Sequence, residues 1–280
     1  MAFQELFDET LDINSTGNYR LAVQVSSSGV AFCILDAVRN KYVMLRAYEA
    51  GGDGCYSAPE IDEIMRRDDF LGCRYMKVTV IAPAEKSTLV PVQLYDPARR
   101  DEYFRLNHPP GGDAAVAANR LNDPEAYVVF EVARPVYDII TGRYPAAVPV
   151  HHLKPLLSHV YHAGRNFRGD YVHLHVESGF FNLAILRSNS LVFCNTFGYR
   201  NTDDILYYVM NVMKSFETGH ETAIHLSGPA DGCDGLASAL RVYVRQVSFS
   251  RPSGGFTFSY VFDDCALHRY INLFNVPNCV

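Results

Sequence analysis

Three residues at alternate positions of one segment, His173, His175 and Glu177, have the types and spacing for metal chemistry. Alternate side chains of a strand share a face, about 6–7 Å apart. Two imidazoles and a carboxylate placed that way suit Zn2+ or Fe2+. The commoner arrangement is a polar strand face on a solvated interdomain cleft, with Val172, Leu174 and Val176 turned to the core. That is the reading adopted, with the metal set as its rival. A denser histidine group, His151, His152, His159 and His162, places His159 and His162 on neighbouring turns of an expected helix. Histidines at a surface or a helix end are the more frequent outcome. The turn Ser26-Ser27-Ser28-Gly29 is polar and able to hold an oxyanion. No Gly-x-Ser-x-Gly elbow, His-Glu-x-x-His helix, Walker loop or dinucleotide fingerprint is present.

The elements that must position these residues come in two copies. Residues 21–35 read LAVQVSSSGVAFCIL and residues 172–186 read VHLHVESGFFNLAIL. They align without a gap at an offset of 151, with Val25, Ser27, Ile34 and Leu35 matching Val176, Ser178, Ile185 and Leu186. Each is an apolar alternation, a short Ser/Gly turn and a second apolar run, which is a hairpin signal. A third strand follows each, YVMLRAY from Tyr42 and LVFCNTF from Leu191. Then comes a helix. In the second copy Ile205, Tyr208, Val209, Val212, Met213 and Phe216 form one amphipathic stripe, with Thr202 as N-cap and Asp203 and Asp204 at the positive end. The first helix runs from about Ala58 to Phe70. Strands RYMKVTVIA from Arg74 and TAIHLSG from Thr222 complete two β-β-β-α-β units. Duplication of a large unit is a fold-level signature, and two such units face to face leave a cleft. Around them, Asp96-Pro97 opens a short helix, 107–125 is a turn-rich loop, 141–150 connects the halves, and Pro155 to Ala163 form a linking helix. The expected halves are 1–147 and 148–280, with a last helix over 263–275 packing back on the first half.

Composition sets wide bounds. The 280 residues are 48% hydrophobic and 20% charged, with net charge -6, enough for a sizeable core and unsuited to a nucleic-acid surface. No membrane span is expected, and the acidic start is unlike a signal peptide. The seven cysteines are widely spaced without a Cys-x-x-Cys pair, so free thiols in a reducing cytoplasm are expected.

The duplicated unit with its Ser/Gly turns resembles the actin, Hsp70 and sugar-kinase superfamily, an α/β fold of two ribonuclease H-like halves around a cleft. It is most similar to the pilus-assembly and cell-division branch, whose members open on Ile-Asp-Ile-Gly-Ser-Ser-Ser-Ile-Lys; here Val23 to Ala31 read VQVSSSGVA. The opening hairpin, LVPVQLYDP at 89–97, LVFCNTFGYRNTDDILYYV at 191–209 and FDDCALHRYINLFNV at 262–276 also resemble an uncharacterised bacterial family with this fold. That second resemblance implies a fold and no activity. The superfamily's ATPases carry an Asp in the first hairpin that organises metal and attacking water, then a glycine that lets backbone N–H groups approach phosphate. These positions fall here on Gln24 and Ser26. The second hairpin repeats the pattern, and there the positions are His175 and Glu177, followed by Ser178 and Gly179. The adenosine motif's Gly-Gly becomes Gly228-Pro229.

The resemblance therefore implies an actin-like module with a degraded nucleotide site, not hydrolysing ATP, that binds a protein partner. Two rivals stand beside it. One is a cleft that holds ATP, another nucleotide with Mg2+ or a phosphorylated ligand through Gln24, Ser26, Ser27, Ser28, Gly29, His175, Glu177, Ser178, Gly179 and Gly228. The other is a metal-dependent enzyme using His173, His175 and Glu177.

Overall fold

A short strand, β1 (Gln4–Phe7), precedes the first hairpin, β2 (Tyr19–Ser26) and β3 (Gly29–Asp36). β4 (Lys41–Glu49), α1 (Ala58–Arg67) and β5 (Lys77–Ala82) complete the first β-β-β-α-β unit. An insertion follows, made of β6 (Ser87–Pro91), α2 (Arg100–Asn107), β7 (Ala114–Leu121) and β8 (Ala126–Ala133). α3 (Arg134–Arg143), β9 (Val150–His151) and α4 (Leu153–Gly164) lead to the second unit. That unit is β10 (Asp170–Val176), β11 (Phe180–Arg187), β12 (Ser190–Gly198), α5 (Thr202–Ser215) and β13 (Ile224–Ser227). α6 (Cys233–Leu240), β14 (Val247–Phe249), β15 (Thr257–Phe258) and α7 (Ile271–Asn275) close the chain. This computed structural model describes residues 4–50, 54–109, 112–165, 167–219, 221–229 and 233–279.

The two units have one topology. The first sheet carries β4-β3-β2-β5-β9 and the second β12-β11-β10-β13-β14, the same order of third, second, first, fourth and fifth strand. The last three strands of each run parallel and the hairpins antiparallel. Even the irregularity repeats. The pairing of β3 with β4 shifts register between Ile34 and Leu35, and that of β11 with β12 between Ile185 and Leu186. These are aligned residues of the sequence repeat, so the duplication extends to a β-bulge, which sets local twist.

Each sheet buries its outer face under its own helices. In the first half Val23, Val25, Phe32 and Val80 meet Ile61 and Met65 of α1 and Ile140 of α3. Pro59 stands in the first turn of α1, and the Glu60 carboxylate accepts from the backbone N–H and hydroxyl of Ser57, which fixes where that helix starts. In the second half Val172, Leu174, Phe181 and Ile224 meet Ile205, Val209 and Met213 of α5 and Leu236 and Leu240 of α6. Full burial of such side chains contributes about 1.5–3 kcal/mol each. Between the sheets lies a central layer of α4, α7 and the segment leading to α7. It buries Phe262, Leu273 and Phe274 on the first sheet, and Leu153, Leu156, Leu157 and Val160 against the insertion and the second sheet.

Four local expectations change. The stretch 107–125 contains β7, because Ala115, Ala117, Asn119 and Leu121 alternate inward; alanines and an asparagine give that alternation little hydrophobic contrast. The last helix is confined to α7. Residues 260–270 form tight turns held by bonds such as Cys265 N–H to Phe262 O, and apolar residues three and four apart suit turns as well as a helix. The cap of α5 is Asn201, whose side chain accepts from Asp204 N–H, in place of Thr202. Tyr208 is 36% exposed, because its ring lies across Phe197 on the surface side of the stripe.

Candidate functional site

A cleft of about 410 Å3 opens between the two hairpins. Gln24, Ser26, Ser28 and Gly29 line it from the first half, and Ser178 and Tyr199 from the second. Among the described residues its formal charges are Glu49 and Arg269, and they are paired: Arg269 Nη2 donates to both carboxylate oxygens, at 3.0 and 3.2 Å. The Ser26–Gly29 turn is also engaged with its own chain. Ser26 Oγ lies 2.8 Å from Ser28 Oγ, Tyr56 N–H donates to Ser27 O, and Ala50 N–H donates to Ser28 O.

Two of the glycines that would admit phosphate are packed against the chain itself. A Cβ on Gly29 would stand 2.2 Å from Tyr48 O. A Cβ on Gly228, whose φ is +124°, would stand 2.0 Å from Val176 O, and its N–H donates to His268 O at 3.0 Å. Both glycines are required by close approach of the chain to itself. Gly179, at φ +83°, has open space beside it and serves the turn of the second hairpin.

Beneath the cleft the expected site residues meet one another. Glu177 is 1% exposed, and its Oε1 lies 3.1 Å from His175 Nε2 and 3.4 Å from Gln24 Nε2. The Gln24 contact crosses from one half to the other, joining the two positions where the resemblance implies an Asp and a phosphate-facing glycine. His175 Nδ1 and His173 Nε2 both reach the Ser227 hydroxyl, at 2.9 and 2.8 Å. Hydrogen-bond chemistry gives this chain a direction. A carboxylate only accepts, so His175 donates from Nε2 to Glu177 and accepts at Nδ1 from Ser227 O–H. Ser227 has one proton, so it accepts from His173 Nε2–H, which leaves His173 Nδ1 without a partner. The Asn272 amide nitrogen stands 3.0 Å from His175 Nε2 while its oxygen is unpartnered. Turning that amide over presents the oxygen to the His175 N–H.

Carboxylate, imidazole and hydroxyl in line have the composition of a nucleophilic triad. Ser227 is nevertheless wholly buried, and its oxygen already accepts from His173, so this serine presents no attacking oxygen to the cleft. The metal set is consumed in the same way: His173 and His175 share Ser227, and His175 holds Glu177. No group of three His, Cys, Asp or Glu among the described residues could hold a metal ion.

The surface and solvated-cleft readings of the histidines are corrected here. His151, His152, His159, His173 and His175 are each 0–1% exposed, because α4 and α7 cover the inner face of the second sheet. His152 takes Ala84 N–H on Nδ1 (3.4 Å) and donates from Nε2 to Asn182 Oδ1 (2.8 Å), linking the halves. His151 takes Leu153 N–H on Nδ1 and donates from Nε2 to Ala84 O. Burial holds the His152 imidazole down to about 4, a fall that His175 adds to and Glu177 opposes. Burial likewise puts His159 at about 3, and lowers His151, His173 and His225. His162 is separated from His159 by facing outward on α4. Ser227, Asn182 and Asn272 escaped the sequence reading, and His152 was read there only as a surface or helix-end histidine. The signal available was polar residues at alternate positions of adjacent strands: β10 and β13 set His175 beside Ser227 and His173 beside His225.

Comparison with known structures identifies the architecture. A Bacteroides thetaiotaomicron protein with actin-like ATPase fold and unknown function aligns with a TM-score of 0.78 at 21% identity, covering 86% of this chain and 94% of that one. The PilM-PilN type IV pilus biogenesis complex aligns with a TM-score of 0.59 at 14% identity, covering 93% of this chain and 97% of that one. The chain thus has the actin-like ATPase fold. Among the described residues no helix is long and apolar enough to cross a membrane. Comparison with curated proteins returns no match. The chain belongs to the family described as Protein of unknown function (DUF3822), which matches residues 8–247.

Proposed function

We propose that the chain is a non-hydrolysing actin-like module that acts by binding a protein partner. One observation carries the reading: Gln24, His175 and Glu177 are hydrogen-bonded to one another beneath the cleft, where the fold's ATPases need a metal-organising carboxylate and open backbone. In-line phosphoryl transfer depends on positioning and on neutralising charge. Here Glu177 repels phosphate and Gly29 and Gly228 are packed against the chain. The solved PilM-PilN complex supports the partner half of the reading, as a protein of this fold seen in an assembly.

The test is phosphate release from ATP with Mg2+ by the purified chain, alongside affinity capture from native extract. The reading expects no turnover above background and a stoichiometric co-purifying protein. Turnover lost on Glu177→Ala would overturn the first half, and recovery of the chain alone the second. The open cleft favours a second reading, that a small molecule binds there without turnover. Its paired charges suit an uncharged ligand better than a triphosphate, so adenosine should raise the melting temperature more than ATP does.

A further inference from the structure

The layer between the halves carries a device that neither the fold nor the cleft explains. On the inner face of the second sheet, Tyr171, His173 and His175 of β10 lie beside His225 and Ser227 of β13. His159 of α4 covers them, with its ring 5.3 Å from that of His173. Each imidazole has a nitrogen committed to an uncharged partner: His159 to Ser253, His173 to Ser227, His225 to Ser248. Each has its other nitrogen buried without a partner. A proton added there is an N–H with no acceptor, beside other imidazoles. His151 and His152 differ in detail and agree in effect. Their acceptor nitrogens take the N–H groups of Leu153 and Ala84, and a proton on either nitrogen turns that bond into a clash of donors.

The groups facing this layer are few. From α4 and its N-terminus come His152 and His159, with His162 acting on His159 from the outer side of the helix; from β10, His175; from β13, His225; from the second hairpin, Glu177, which lies against His175 and lowers the cost of charging His152. α7 contributes the uncharged Asn272. The outer cores under α1 and α3 and under α5 and α6 are built from apolar side chains, and among the described residues the fully buried histidines are His151, His152, His159, His173 and His175. The apolar contact of Leu153, Leu156 and Leu157 with Ala184 and Leu186 lies on the β11 side of the same layer.

We propose that this layer is a proton-operated joint: on acidification β10 and β13 separate from α4 and α7, pivoting on the apolar contact at β11, while each half keeps its outer core. Fully buried nitrogens accept protons only when the layer opens, so opening and proton uptake are one event. The cleft sits above the joint and Gln24 spans it through Glu177, so opening widens the cleft.

The test is hydrogen exchange of the full chain, corrected for intrinsic rates, between about pH 7 and about pH 5. Protection is expected to fall first in β10, β13 and α4, with α1, α3, α5 and α6 still protected and far-ultraviolet dichroism unchanged. His159→Gln and His225→Gln keep a hydrogen-bonding group and cannot be charged; each should move the opening to lower pH. Potentiometric titration of the unaltered chain, which needs no variant to fold, should show about two or more protons taken up on opening. Loss of protection everywhere at once, an unmoved midpoint in both variants, or uptake of one proton or none would overturn the proposal.

Discussion

The inner faces of the two sheets occupy equivalent places and are built from opposite materials. Where the first sheet has Ala22, Gln24 and Ala31, the second has His173, His175 and Asn182 at the aligned positions. The first face is apolar. Ala22, Cys33, Tyr42, Leu45 and Ile81 pack on Phe262, Leu273 and Phe274, and the Tyr42 ring meets Phe256, Phe258 and Phe274 at 4.9–5.3 Å. The second face is held by directed bonds among His173, Ser227, His175 and Glu177 and by Asn182 with His152 and Thr196. Apolar burial is non-directional and indifferent to protons; a buried hydrogen-bonded network is neither. The two halves thus share strand order and register shift, while one inner face is packed from apolar side chains and the other from directed hydrogen bonds.

The largest expected effect separating the two faces is on stability against pH. His151, His152, His159, His173 and His225 titrate below the ordinary value of about 6.5 when folded, so the unfolded chain binds the extra protons and stability is lost as pH falls. The loss begins near pH 6.5, ends at about 4 for His152 and about 3 for His159, and runs at about 1.4 kcal/mol per pH unit for each histidine in its window. Denaturant melts across that range check it; a stability flat between pH 7 and about 5 would erase the contrast between the faces.

Next in size is transplanting one face into the other. Ala22→His puts the aligned residue of the second sheet among Cys33 and Phe274, with crowding and no arranged partner, and should cost about 3 kcal/mol or more by equilibrium unfolding. A cost below about 1 kcal/mol would mean that the first face accepts the chemistry of the second. Gly29→Ala and Gly228→Ala drive a methyl group into backbone oxygen in each half and should each cost more than about 2 kcal/mol. If either is silent, that glycine is free to serve a ligand. The smallest change is Glu177→Gln, which keeps an acceptor for His175 and should cost about 1 kcal/mol.

The hairpins, their offset and the order of strands were legible because apolar alternation and turn residues are local signals. Whether an alternating face is covered is not local. His173, His175 and Glu177 read as a wet polar face because nothing within 172–186 announces that α4 and α7 lie over it. His159 read as a surface residue for the same reason: its cover is β10, and its partner Ser253 lies 94 residues away. β7 was hidden by alanines, whose burial is real but whose hydrophobic contrast is small. The repeat pointed to Gln24, His175 and Glu177 as aligned hairpin positions, while their mutual bonding needed three dimensions.

The measurement closest to the central claim is calorimetric titration of ATP with Mg2+ into the purified chain. The account predicts no saturable binding at millimolar nucleotide, because Gly29, Gly228, Glu177 and Arg269 are already engaged by the chain. Saturable binding of ATP that requires Mg2+ and disappears in Glu177→Ala would contradict it, and would make the network beneath the cleft a nucleotide site.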